Sequence, residues 1–230
     1  MYEYLSEFYK ILTIFWDVND NIDNFTKYMK PCSDFLENLL SLDSQAFVAS
    51  KNEILRICYI LSGVVQGFTT ADSFNQFFDW FYPGNFRIIT EIFKHFSHDN
   101  AVLKALFKLM AELLDNKTHR LKADQSSISG FLLFKEVAAI LLEYFKFVDM
   151  FQRGKAKGDK YDDKYQFIEM AVDIFGNIVA GNFVNFSVCE YYNDTAFVDL
   201  ARMVFTLVTM QDQKEYSSFT RLMQVTHSML

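Results

Sequence analysis

The chain has 230 residues, a formal net charge of −7 and 51% hydrophobic residues, with 26 Phe and 12 Tyr against only 8 Gly and 2 Pro. That length can bury a substantial core, and the scarcity of Gly and Pro argues against a turn-rich β sandwich and for long helices. The acidic balance argues against a phosphate-tracking nucleic-acid binder, which needs clustered Lys and Arg, and suits a basic protein partner.

Residues 1–18 read as a helix. Glu3, Glu7, Lys10 and Asp17 interrupt its apolar character, so it does not read as a secretory signal. Residues 34–49 read as a second helix or two short ones, with Pro31 just ahead, where a missing N–H costs little. Residues 51–66 place Ile54, Leu55, Ile57, Cys58 and Leu61 on one side. A Phe- and Trp-rich helix over 71–82 is broken by Pro83. Residues 84–96 and 99–115 form the next antiparallel pair. In the second, Lys104, Lys108, Glu112 and Asp115 draw a polar stripe. Its apolar face is too wide for a surface helix and must be covered on more than one side.

A polar connector occupies 116–130, longer than a helical hairpin needs. Residues 131–151 and 161–180 form a long pair joined by the polar loop 152–160. The first is the most apolar run in the chain, but Lys135, Glu136, Glu143, Lys146 and Asp149 interrupt it, so it does not read as a membrane span. A short aromatic segment, 183–192, precedes a last pair over 194–210 and 215–230. Helix pairs thus begin near Lys51, Gly84, Phe131 and Asp194. That cadence is close to HEAT repeats of about 40–47 residues with insertions. The expected fold is all-α, a right-handed α-solenoid of HEAT-like antiparallel helix pairs (armadillo/HEAT type), with 1–230 as a single segment. Stacking follows because each pair carries too much apolar surface to stand alone.

The wording of residues 108–136 is the most informative stretch. Lys108 to Leu113 end one helix, Asn116, Arg120 and Leu121 follow, and then come Ser126, Ser127, Gly130 and the helix start Leu132 to Glu136. This order resembles the exportin-7 (Ran-binding protein 16) family of importin-β superfamily nuclear transport receptors. Upstream, Phe77 to Pro83 (FFDWFYP) is similar to the family's helix end, and downstream residues 180–196 (AGNFVNFSVCEYYNDTA) are similar to another family stretch. Ser187 departs from the pattern, as do Ile128 and Ser129.

The resemblance implies a nuclear export receptor that binds protein cargo coupled to Ran-GTP and shuttles between nucleus and cytoplasm. Contact with Phe-Gly repeats of the nuclear pore is a further implied partner, while nucleic acid and membrane insertion are not expected. Family receptors are several times longer. The chain therefore reads as an internal or carboxy-half piece of a larger receptor, or as the product of a divided or truncated gene. The alternative is a non-transport helical scaffold or protein-interaction module.

No catalytic, cofactor or metal site is expected. Cys32, Cys58 and Cys189 are isolated and read as buried thiols of a reducing compartment. Glu91, His95 and His98 have ligand-like spacing, but helix-end placement is the simpler reading. Gly154 and Gly158 lack a phosphate-cradling pattern. The aromatic runs around Phe77 to Tyr82 and Phe183 to Tyr192 read mainly as core. Candidate partner-binding residues are Asn116, His119 and Arg120 in the connector and Arg153, Lys155, Lys157 and Lys160 in the later loop. The connector has a structural reading as well. Asn116 takes a left-handed conformation past the helix end, Ser127 or Ser129 caps the next helix, and Arg120 bonds carbonyls left free at the preceding helix end.

Overall fold

The computed structural model describes residues 2–18, 22–116, 119–121, 128–153 and 161–209, with the side chains of 17–18, 22–23, 147–153, 161–165 and 207–209 left aside. Regular structure among these residues is helical throughout. The chain divides into two compact units, Met1–Leu121 and Lys122–Leu230. No helix among the described residues is long and apolar enough to cross a membrane.

The first unit contains α1 (Glu3–Val18), α2 (Ile22–Leu40), α3 (Ser44–Ala49), α4 (Lys51–Gly67), α5 (Ala71–Trp80), α6 (Arg87–Phe96) and α7 (Asn100–Leu114). The expected helix start after Pro31 is corrected: α2 begins at Ile22 and carries Pro31 inside it. The reason is burial. Phe25, Met29, Cys32, Leu36 and Leu39 are all buried and continue one stripe across the proline. Burying five such side chains, at about 1.5–3 kcal/mol each, outweighs the roughly 3 kcal/mol that an interior proline costs. Asp43 then caps α3, its carboxylate accepting from the Ala46 N–H at 2.9 Å. Pro83 ends α5 as expected, through a π turn over Phe81–Asn85 with a cis Tyr82–Pro83 bond, and α6 starts at Arg87 rather than at residue 84.

Three helices, α1, α4 and α7, stack side by side. α1 meets α4 at glycines: a Cβ on Gly63 would lie 2.2 Å from the Ser6 carbonyl oxygen, and one on Gly67 would lie 2.3 Å from the Thr13 Cβ. No other residue type permits so close a backbone approach. Advancing from Gly63 to Gly67 matches advancing from Ser6 to Thr13, so the two helices run in the same sense. α4 and α7 do too, because Lys51, the first residue of α4, pairs with Asp99, the N-cap of α7. α7 packs against both α4 and α6. Its wide apolar face, from Val102 to Leu114, is thereby buried on more than one side, as the sequence requires.

The second unit contains α8 (Ser129–Arg153), α9 (Tyr161–Ala180), α10 (Ser187–Tyr191) and α11 (Ala196–Thr209). Phe134, Val137, Ala138, Leu141 and Phe145 give α8 a buried face at helical spacing. Phe134 meets Phe186 edge-on and packs with Phe197, and Phe197 stacks on Phe186 and Phe175. α11 packs against α8, and Lys135 pairs with Asp194, whose other carboxylate oxygen accepts from the Ala196 N–H at 2.9 Å.

Candidate functional site

The connector begins where α7 stops. Asp115 leaves helical geometry, and a turn follows in which the His119 N–H bonds the Asn116 carbonyl at 2.9 Å. Asn116 does not adopt the expected left-handed conformation. His119 does, with φ 53°. Asn116 is otherwise engaged: its side-chain oxygen accepts from the Leu121 N–H at 2.7 Å, and its amide nitrogen donates to the Leu121 carbonyl at 2.9 Å. One side-chain amide thus satisfies both backbone groups of a buried residue and closes residues 116–121 into a ring. Leu121, 3% exposed, anchors the loop in the core.

That closure turns Arg120 inward, leaving it 5% exposed. Its Nη1 donates to the Val65 carbonyl at 2.5 Å and to the Phe68 carbonyl at 3.3 Å, and its Nη2 donates to the Glu112 carbonyl. Val65 and Glu112 lie in the last turns of α4 and α7, where carbonyls lack helical partners. Phe68 caps α4. The guanidinium also sits over the Phe74 ring, 4.5 Å from its centre. One cation therefore joins the negative ends of two helix dipoles. Burial lowers its pKa to about 10, against the pull of the Asp115 and Glu112 carboxylates, and it remains charged at neutral pH.

Beside this junction lies a recess of about 350 Å³, lined by Lys10, Gln66, Phe68, Thr69, Glu112, Asp115 and Arg120. Burial raises the Glu112 pKa, opposed by a hydrogen bond from Gln66 and by the Lys108 charge. The ammonium of Lys108 in turn sits 5.6 Å from the Tyr59 ring centre. His119, by contrast, faces solvent. Of the three connector residues singled out in the sequence, two are buried braces and one is exposed.

The other sequence features fall differently. Ser129 is the first residue of α8 and is preceded by Ile128, so it is not the residue that caps the helix; Ser127 lies outside the described residues. The side chain of Arg153 and all of Lys155, Lys157 and Lys160 also lie outside them. Phe77, Phe78 and Phe81 are core, and the Trp80 ring N–H donates to the Ser33 hydroxyl at 2.8 Å. The later aromatic run splits, with Phe183 buried and Tyr191 and Tyr192 exposed. His95 lies 3.5 Å from the Glu91 carboxylate in the last turns of α6 and packs on Phe47. All three cysteines are buried free thiols, and burial pushes Cys58 up to about 12 and Cys32 up to about 11. Sequence reasoning missed the Asn116 ring, the glycine contact of α1 with α4, and both Lys–Asp pairs. Asp99 ahead of an apolar run was the one available signal, since that is an N-cap pattern.

No family model matches the chain, and no solved structure matches it. Among curated proteins the chain is similar to exportin-7-B of Xenopus laevis, with 27% identity over 217 residues, 93% of this chain and 20% of that protein. It is similar to Ran-binding protein 17 of Mus musculus, with 25% identity over 228 residues, 97% of this chain and 21% of that protein. Exportin-7 of Dictyostelium discoideum is 24% identical over 225 residues, 96% of this chain and 22% of that protein. The chain spans about a fifth of the length of the curated relatives it matches.

Proposed function

We propose that the chain is part of a nuclear export receptor of the exportin-7 (Ran-binding protein 16) type, binding protein cargo coupled to Ran-GTP and shuttling between nucleus and cytoplasm. The observation that carries this reading is similarity along nearly the whole chain to proteins named exportin-7 and Ran-binding protein 17. Stacked helix pairs and an acidic balance support a protein-binding role rather than a chemical one. In such a receptor the two ligands are linked: Ran-GTP raises cargo affinity, and cargo raises Ran-GTP affinity by the same factor.

Within this reading the connector is a contact loop with a rigid base. Asn116 and Arg120 are positioning residues, and His119 is the side chain presented to a partner. Arg153, Lys155, Lys157 and Lys160 supply an electrostatic on-rate toward an acidic surface. The exposed Tyr191 and Tyr192 are the aromatics available to Phe-Gly repeats.

The test is binding of the purified 230-residue chain to Ran loaded with a non-hydrolysable GTP analogue, with Ran-GDP as the control. Preferential capture of the GTP form is expected. Slower association at low salt should follow charge reversal of the four basic residues. Equal or absent binding of both nucleotide states by a full-length receptor that carries this segment turns the reading toward a non-transport helical scaffold.

A further inference from the structure

We draw no further inference here: the strongest candidate, the recess of about 350 Å³ beside the ends of α4 and α7, belongs to the Arg120 junction already described, and the opposed charges of Lys10 and Arg120 against Glu112 and Asp115 in its lining select no class of ligand.

Discussion

The two units fasten their helices with the same clasp and then diverge. In the first, Asp99 caps α7 with one carboxylate oxygen and takes Lys51 from the start of α4 on the other. In the second, Asp194 bonds the Ala196 N–H at the start of α11 with one oxygen and takes Lys135 from α8 on the other. The first unit adds two features. Arg120 ties the opposite ends of α4 and α7, and Gly63 and Gly67 let α1 approach α4 at backbone contact. In the second unit, Gly130 near the start of α8 meets the loop before α10, where a Cβ would lie 2.5 Å from the Phe183 carbonyl oxygen, while Gly176 of α9 has open space where a Cβ would stand. A capped, ion-paired helix start sets which helices are neighbours. The far end and the residue sizes along the seam decide how tightly they close.

The largest expected effect tests the far-end tie. Arg120→Ala strands three carbonyls and removes the cation from the Phe74 face, so the first unit should lose about 3–5 kcal/mol. Urea unfolding and amide exchange in α4 and α7 measure it, and Arg120→Lys should recover only part because a single ammonium cannot reproduce the fork. A loss under about 1 kcal/mol would mean the tie is incidental.

Next comes the seam. Gly63→Val drives side-chain carbons into the Ser6 backbone and should cost about 1–3 kcal/mol or more, read as a lowered melting temperature and faster exchange in α1.

Smaller effects test whether the shared clasp is equivalent in both places. Asp99→Ala should cost about 1 kcal/mol, most of it from the lost N-cap, and Asp194→Ala less, since Asp194 bonds only the Ala196 N–H and both ion pairs are partly exposed. The acid response has a defined sign. For Asp99, burial alone would raise the pKa, but Lys51 and the Val102 and Ala101 amides hold it below the ordinary value. For Asp194, Lys135 and the Ala196 amide lower it. A lowered folded-state pKa gives stability that is complete above about pH 4 and lost as pH falls through the folded value. The pH dependence of unfolding between about 2 and 5 should therefore flatten in each Asp→Ala variant.

The smallest prediction has the opposite sign. Gly176→Ala lies inside a helix with room for a methyl group and should stabilise by up to about 1 kcal/mol. A destabilising result would show that the α9 backbone needs glycine for a reason other than space.

Much of this was legible in the sequence. Apolar periodicity found the helices of 51–66 and 161–180 almost to the residue, and the width of the α7 apolar face required cover on two sides. Pro31 misled because a local rule about proline gave way to a buried stripe that only tertiary contact reveals. In the connector, the inward role of Arg120 was readable as a cation following a helix end. The assignment of the left-handed residue was not: Asn116 and His119 both tolerate that geometry, and Asn116 was taken out of play by its bonds to Leu121.

By itself, the sequence determined that this protein is built of helices, where most of them lie, and which protein family it resembles, because 3.6-residue periodicity and word order are local properties of the chain. Only the tertiary structure decided that Arg120 serves α4 as well as α7, that two Lys–Asp clasps repeat without any repeated motif, and that α1 keeps an apolar face exposed. Each of these joins or separates residues far apart along the chain, and that proximity is set by packing rather than by sequence spacing.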